Sequence, residues 1–261
     1  MDSKKPVRRA LRGLKTIFYE MFYSKRLRLC NTGPIYTFTF DDVPVSAIIN
    51  GARILDEHDA KGTFYLSSGM TGVNEAAPSE ARTRTENLLR GLVKNGHQIG
   101  CHTYSHRHLP DITADEILAD CRKNKLLLSN LLDGTPIGHF AYPYGDVSLT
   151  AKKTLFNEYI TLRGTRPGIN HDKVDVKLLR AVDLYSSSFD KTKLAGWIKE
   201  NARLNGWLIF YTHGVEDEHD KWGTTPADLR WVIQECKNAE GSILNVADAY
   251  EDICSQKDKG L

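Results

Sequence analysis

The chain has 261 residues, of which 41% are hydrophobic, 26% charged and 9% aromatic: enough apolar material for one sizeable core, and too little charge bias for a disordered chain. Lys and Arg number 35 against 33 Asp and Glu, a net charge of +2 that is unevenly placed. Residues 1–30 hold nine cations against Asp2 and Glu20, so the remaining body is net acidic, which argues against a nucleic-acid-binding body.

The basic arm, residues 1–30, comes first. Its apolar run Thr16–Tyr23 is short and broken by Glu20, unlike the apolar region of a signal peptide. No stretch approaches the roughly 18 apolar residues of a membrane span. The five cysteines (Cys30, Cys101, Cys121, Cys236, Cys254) form no CxxC and are odd in number, which fits the reducing cytoplasm better than a disulfide framework. Leu11, Leu14, Phe18 and Phe22 fall on or near one helical face. With the cations they suggest peripheral contact with an anionic inner membrane, the alternative being a helix packed on the body or a solvated tail.

Residues 31–261 read as one domain. Ile35–Phe40 is a strand rich in β-branched and aromatic residues, followed by a helix over Ser46–His58 and a strand over Thr63–Leu66. Ser67–Arg84 is polar and aperiodic and reads as a loop, before a helix over Glu86–Lys94 and a strand over Gln98–Cys101. Thr113 and Glu116 form a capping box opening a helix to about Leu132. Strands recur near Phe140–Ala141, Tyr159–Leu162, Leu179–Val182, Leu208–Tyr211 and Ser242–Asn245. Helices recur near Thr150–Asn157 and Thr192–Leu204, and a last one starts at Thr225-Pro226. Seven or eight strand–helix alternations without a linker predict an α/β fold, a closed or nearly closed (β/α) barrel of mostly parallel strands, whose chemistry belongs at the carboxyl ends of the strands.

Candidate residues fall there. Asp41-Asp42 end the first strand, His102 and His106 follow the third, Tyr142-Pro-Tyr-Gly145 follows the fourth, and Thr212-His213-Gly214 ends the seventh. The i, i+4 spacing of His102 and His106 puts both imidazoles on one side of a helical turn. Two imidazoles and a carboxylate make a three-ligand site with room for water, the pattern of catalytic Zn²⁺; the same donors suit Co²⁺, Ni²⁺ or Fe²⁺. Adjacent strand residues point to opposite faces, which divides the aspartates between the metal and the water beside it. His97 reads as a packing residue and His108, His171 and His219 as solvated loop residues. Trp222 lies in the polar loop after His213.

Thr39-Phe-Asp-Asp42, Asn95-Gly-His-Gln-Ile-Gly100, His102-Thr-Tyr-Ser-His106, Tyr142-Pro-Tyr-Gly145 and Tyr211-Thr-His213, in this order, resemble the polysaccharide deacetylases of carbohydrate esterase family 4, the NodB-homology domain, over roughly residues 35–246. The resemblance implies a distorted (β/α) barrel and a metal-dependent N-deacetylase. It implies Asp41 as general base, Asp42, His102 and His106 as metal ligands, the Tyr144 backbone amide as oxyanion donor and His213 as general acid. Three positions depart from the family pattern: Val43 replaces a glycine, Ala141 replaces an arginine that orients the base, and Tyr211 replaces a leucine of the acetyl pocket. Arg163 or Arg166 is then expected to supply the missing charge, and Asp183, at a strand end, to orient His213. The expected substrate is an N-acetylated saccharide, a precursor of a surface polysaccharide such as O-antigen or capsule. The rival functions are a catalytically silent carbohydrate-binding protein and an amidohydrolase of a small non-sugar amide.

Overall fold

The computed structural model describes residues 22–73 and 77–259; Leu11, Leu14 and Phe18 of the basic arm lie outside them. A short strand β1 (Arg26–Arg28) leads into β2 (Ile35–Asp41), all seven of whose residues are buried. The strand is two-sided. Tyr36, Phe38 and Phe40 join a core shared with the helices, whereas Ile35 joins Tyr65, Ala141, Trp207, Ile209 and Tyr211 in a second cluster. A strand buried on both faces loses the polar alternation of a surface strand. Here the second face is marked by threonines: Thr37 Oγ1 accepts from the Trp207 indole at 2.8 Å, and Thr39 Oγ1 donates to the Phe210 carbonyl at 2.8 Å.

The chain then alternates strand and helix. A π-helical segment Ala47–Ala52 runs into α1 (Arg53–Asp56), followed by β3 (Thr63–Leu66), α2 (Ser79–Lys94), β4 (Gln98–Cys101), α3 (Ala114–Leu131), β5 (His139–Ala141), α4 (Leu149–Leu155) and β6 (Thr161–Arg163). Beyond β7 (Lys173–Asp175) come β8 (Val182–Asp183), α5 (Lys191–Leu204), β9 (Trp207–Thr212), α6 (Pro226–Asn238), β10 (Ser242–Ile243) and α7 (Val246–Lys259). The main sheet runs β6-β5-β4-β3-β2-β9-β8 with β10 also on β2, and every pairing in it is parallel. Its edges meet through Leu179, whose backbone pairs with Leu162 and Gly164 beside β6 three residues before β8 begins. The curled sheet is thus the distorted barrel expected of the alternation. The Thr113–Glu116 capping box forms as expected.

Four differences have physical causes. α2 starts at Ser79, inside the stretch read as a loop, because its first turns are exposed and show no apolar stripe. β6 is displaced to end on Arg163, a cation where hydropathy reads a boundary. β1 pairs antiparallel with β7, and Leu27 and Leu29 pack on the second cluster, so the folded body starts before residue 31. α7, unanticipated, covers the amino end of the barrel, where Val246 N donates to Thr63 Oγ1 at 2.9 Å and Ala247 N to Gln98 Oε1 at 3.1 Å. Among the described residues no helix is long and apolar enough to cross a membrane.

His139, at the start of β5, is buried against Thr161 Oγ1 at 2.8 Å, and burial pushes its pKa down to about 4. Its unfolded value is about 6.5, so the unfolded chain takes up the proton first as pH falls. The stability this residue contributes is therefore complete above pH 6.5 and is lost between 6.5 and about 4, on the order of 3 kcal/mol. Urea unfolding at pH 7 and pH 4.5 is expected to show a smaller acid loss in His139→Gln than in the wild type.

Candidate active site

The carboxyl ends of β2, β4, β5, β6 and β9 converge on one rim, and the expected site residues lie on it. Asp41 is the last residue of β2 and is buried. Asp42 has left the strand, with φ 58, and Val43 follows at φ 47. The separation of the two aspartates therefore comes from a left-handed turn after the strand rather than from strand alternation. A β-branched residue in this region is an outlier, held in place here by burial of the Val43 side chain.

His102 and His106 also meet without the expected helical turn. The segment after β4 is irregular, with Thr103 at φ 66 and His106 at φ 50. Asp120 of α3 holds it. The Tyr104 and Ser105 amides donate to Asp120 Oδ2 at 2.9 and 3.2 Å, and the Ser105 hydroxyl donates to Oδ1. The His106 amide donates to Thr103 Oγ1 at 3.0 Å. Nothing in the local spacing marks Asp120, because it lies on a helix 14 residues beyond the ligand it supports.

The ligand atoms of Asp42, His102 and His106 all lie within 4.8 Å of one another. His102 Nδ1 is 2.8 Å from the Ala141 carbonyl, which only accepts, so the ring proton sits on Nδ1 and Nε2 presents a lone pair. That Nε2 faces His106 Nε2 at 3.2 Å, and Asp42 Oδ1 lies 3.2 Å from the latter and 3.7 Å from the former. Asp42 Oδ1 is itself buried without a hydrogen bond. Tetrahedral ligands about 2.0–2.1 Å from an ion stand roughly 3.3 Å apart, so the donor set fits a small divalent cation, Zn²⁺ or the related Co²⁺, Ni²⁺ and Fe²⁺. Burial pushes His102 down to about 4 against the pull of Asp41 and Asp42, and it lowers His106 as well, which keeps both rings neutral and able to ligate.

Asp41 sits beside this triplet. Burial by itself would raise its carboxyl; the Arg163 guanidinium beside it outweighs that and holds it below the usual carboxylate range. The Arg163 guanidinium, fully buried, donates to Asp41 Oδ1. His213 lies at the same site, its Nε2 3.6 Å from Asp42 Oδ2. Asp183 does not orient it: Asp183 is in register with Tyr211, two residues earlier, its carboxylate is 3.5 Å from the Ser188 hydroxyl, and His213 Nδ1 is buried without a hydrogen-bond partner. Tyr144 has φ 58 and is half exposed. Gly145 permits this turn, since a Cβ there would lie 1.9 Å from Thr165 Oγ1.

Exposed rings flank the site. Tyr144 meets His106 edge-on at 4.4 Å and stacks on His108 at 3.8 Å, whose Nδ1 is 2.8 Å from Asp146 Oδ2. His108 is exposed, as expected of a solvated loop residue, and its ring also forms part of the rim. Trp222 lies 6.5 Å from the His213 ring and 5.3 Å from Tyr185 on the opposite side.

Purified protein is expected to hold one divalent ion per chain by elemental analysis, lost in His102→Ala and His106→Ala and kept in Asp41→Asn. Asp120→Ala, which frees the histidine loop, should weaken that affinity roughly 10–100-fold in a chelator competition.

The family described as Polysaccharide deacetylase matches residues 29–158, a span that includes Asp41, Asp42, both histidines and Tyr144 but not Arg163 or His213. A chitin deacetylase of Arthroderma benhamiae is 28% identical over 127 residues, covering 48% of this chain and 32% of that protein. A chitooligosaccharide deacetylase of Azorhizobium caulinodans is 26% identical over 211 residues, covering 78% and 88%. The cobalt complex of a family 4 acetyl xylan esterase from Clostridium thermocellum superposes with a TM-score of 0.60 at 20% identity, covering 83% of this chain and 90% of that one, a likeness of fold. The chain spans about a third of the length of the fungal relative, and most of the bacterial one. It belongs to the polysaccharide deacetylase family.

Proposed function

We propose that this protein is a metal-dependent N-deacetylase that hydrolyses the acetamido group of an N-acetylated sugar. The observation that carries this reading is an ionised carboxylate, Asp41, and an imidazole, His213, both beside the Asp42–His102–His106 triplet. Amide hydrolysis needs an activated water, stabilisation of the developing oxyanion and a proton for the departing nitrogen. A divalent ion held by the triplet supplies Lewis acidity, polarising the acyl carbonyl and lowering the pKa of water towards about 7. Asp41 takes the proton of the attacking water. The Tyr144 backbone N–H, in a left-handed turn at the rim, would donate to the carbonyl oxygen as it becomes an anion, an interaction typically worth about 3–4 kcal/mol. His213 protonates the amine that leaves. Both the base and the acid being in place favours this reading over a silent binding protein, and the exposed Tyr144 and Trp222 rings favour a saccharide over a small amide.

The acetylated sugar is proposed to belong to a precursor of a surface polysaccharide such as O-antigen or capsule, met in the cytoplasm at the anionic inner leaflet. Exposed Phe22 and Tyr23 adjoin exposed Lys25, Arg26 and Arg28, and Lys173 across the β1–β7 ribbon adds a further cation. Aromatic rings among cations suit an anionic lipid surface, each cation being worth roughly 1 kcal/mol there. Asn170, just before β7, bridges Trp207 at the start of β9, so this ribbon lies towards the amino ends of the strands, away from the site. Docking by the ribbon leaves the rim facing water, where it meets a glycan head rather than a lipid tail.

Acetate release from a panel of N-acetyl sugars and oligosaccharides tests the activity. Release by the zinc-loaded wild type, abolished in Asp41→Asn with the metal retained and in His213→Ala, is expected. Deacetylation confined to small non-sugar amides would select the amidohydrolase, and binding of oligosaccharides without any release would select the silent protein. In co-sedimentation with phosphatidylglycerol vesicles, the full chain should bind and lose most of that binding when Arg26, Arg28 and Lys173 are changed to Gln.

A further inference from the structure

The turn that carries Tyr144 is closed by two backbone bonds: Gly145 N donates to the Tyr142 carbonyl at 2.9 Å, and Asp146 N to that of Pro143 at 3.0 Å. Its third residue, Tyr144, has φ 58 and ψ 6, and Gly145 follows at φ 63. Positive φ is natural to glycine and unfavourable for a tyrosine. It separates this turn from the common type I turn, in which φ at the third residue is about −90°. The two forms differ by a half-turn of the Pro143–Tyr144 peptide. The sign of φ at Tyr144 therefore decides which way its N–H points, and a tyrosine left to itself favours the other sign.

The Tyr144 ring, although half exposed, has two neighbours from the histidine segment. It lies parallel to the His108 ring, with centroids 3.8 Å apart and planes 10° apart, and it meets His106 edge-on at 4.4 Å. His108 Nδ1 is 2.8 Å from Asp146 Oδ2; a carboxylate only accepts, so Nδ1 carries the proton and donates. One imidazole thus touches the turn twice, at the ring of residue 144 and at the carboxylate of residue 146. His108 is itself anchored. Its carbonyl accepts from the Asp111 amide at 3.0 Å, and the next residue, Leu109, is buried in the core.

We propose that His108 is the positioning residue of the oxyanion donor: its ring, stacked on Tyr144 and tied to Asp146, keeps the turn in the left-handed form that sets the direction of the Tyr144 N–H. The proposal rests on the deacetylase reading above. The segment that carries His102 and His106 then also holds the oxyanion turn. That N–H meets charge that develops only in the transition state, so loss of the brace lowers kcat and leaves substrate binding in place.

The test uses the full chain loaded with zinc, and the N-acetyl sugar on which the wild type is most active. His108 is exposed, so its replacement leaves the core intact. His108→Ala is expected to lower kcat about tenfold or more, part of the roughly 10²–10³-fold that loss of an oxyanion donor typically costs. KM should stay within about threefold, and zinc at one per chain by elemental analysis. His108→Phe, which keeps a flat ring against Tyr144 but gives up Asp146, should recover at least about threefold of that loss. In a Tyr144→Ala background there is no ring to hold, so His108→Ala should cost less than about twofold there, the non-additivity of groups acting through one contact. The Gly145 and Asp146 amides, bonded within the turn, should exchange hydrogen at least about tenfold faster in His108→Ala than in the wild type. A zinc-loaded His108→Ala protein with wild-type kcat would overturn the proposal, as would equal losses in His108→Ala and His108→Phe. So would a loss confined to KM, the mark of a residue that touches the sugar instead, or an undiminished loss in the Tyr144→Ala background. A wild type inactive on every N-acetyl sugar would overturn the deacetylase reading, and this role with it.

Discussion

Three electron-rich atoms held together against their own repulsion set the terms for the rest of this molecule. His102 Nε2, His106 Nε2 and Asp42 Oδ1 stand within 4.8 Å of one another, and two of the three contacts are 3.2 Å. Such an arrangement persists only if rigid parts over-determine it. Each donor has its own fixture. The Ala141 carbonyl sets the His102 tautomer, Asp120 ties down the loop that carries His106, and the left-handed turn at Asp42 and Val43 aims the carboxylate. These fixtures come from β5, α3 and the end of β2, so the site exists only once the barrel has closed.

The barrel supports this by being two-sided throughout. Aromatic and aliphatic residues pack on both faces, but the inner face also holds threonines, small residues and a buried ion pair. Polar interiors are costly unless every group finds a partner. Thr37 and Trp207, His139 and Thr161, and Arg163 and Asp41 answer one another across neighbouring strands or across the barrel. The departures from the family pattern belong to this interior. Ala141 and Tyr211 are neighbours of Arg163 rather than independent losses, and the tyrosine borders the buried charge where a leucine would present only alkyl surface.

The rim above the interior is strained. Asp42, Val43, Thr103, His106 and Tyr144 all have positive φ, the first two next to each other. Residues in such conformations typically cost about 1–3 kcal/mol each and concentrate where function requires a particular direction of a side chain or amide. At Tyr144 the direction that matters is that of the backbone N–H, and at His106 and Asp42 that of a lone pair.

By itself the sequence determined the alternation, the parallel barrel, the rim on which the motifs meet and the residues of the triplet. All of these follow from short-range periodicity and from a motif order that survives without knowledge of contacts. Ribbon partner β7 escaped it because a three-residue strand carries almost no periodic signal, whereas the Val246, Ala249 and Ile253 stripe of α7 stands at helical spacing and was legible in the sequence. Left to the tertiary structure was everything that depends on which strand lies beside which. Register places Arg163 next to Ala141 and sends its charge to Asp41, so that an arginine missing from one motif is met from another strand. Helix packing makes Asp120 the anchor of a loop from which it is distant in sequence. Register also separates Asp183 from His213, although both end neighbouring strands. A buried charge reads in sequence only as a break in hydropathy; its partner is chosen by geometry, because an ion pair in a low-dielectric interior forms only where the closing sheet brings the two groups within reach.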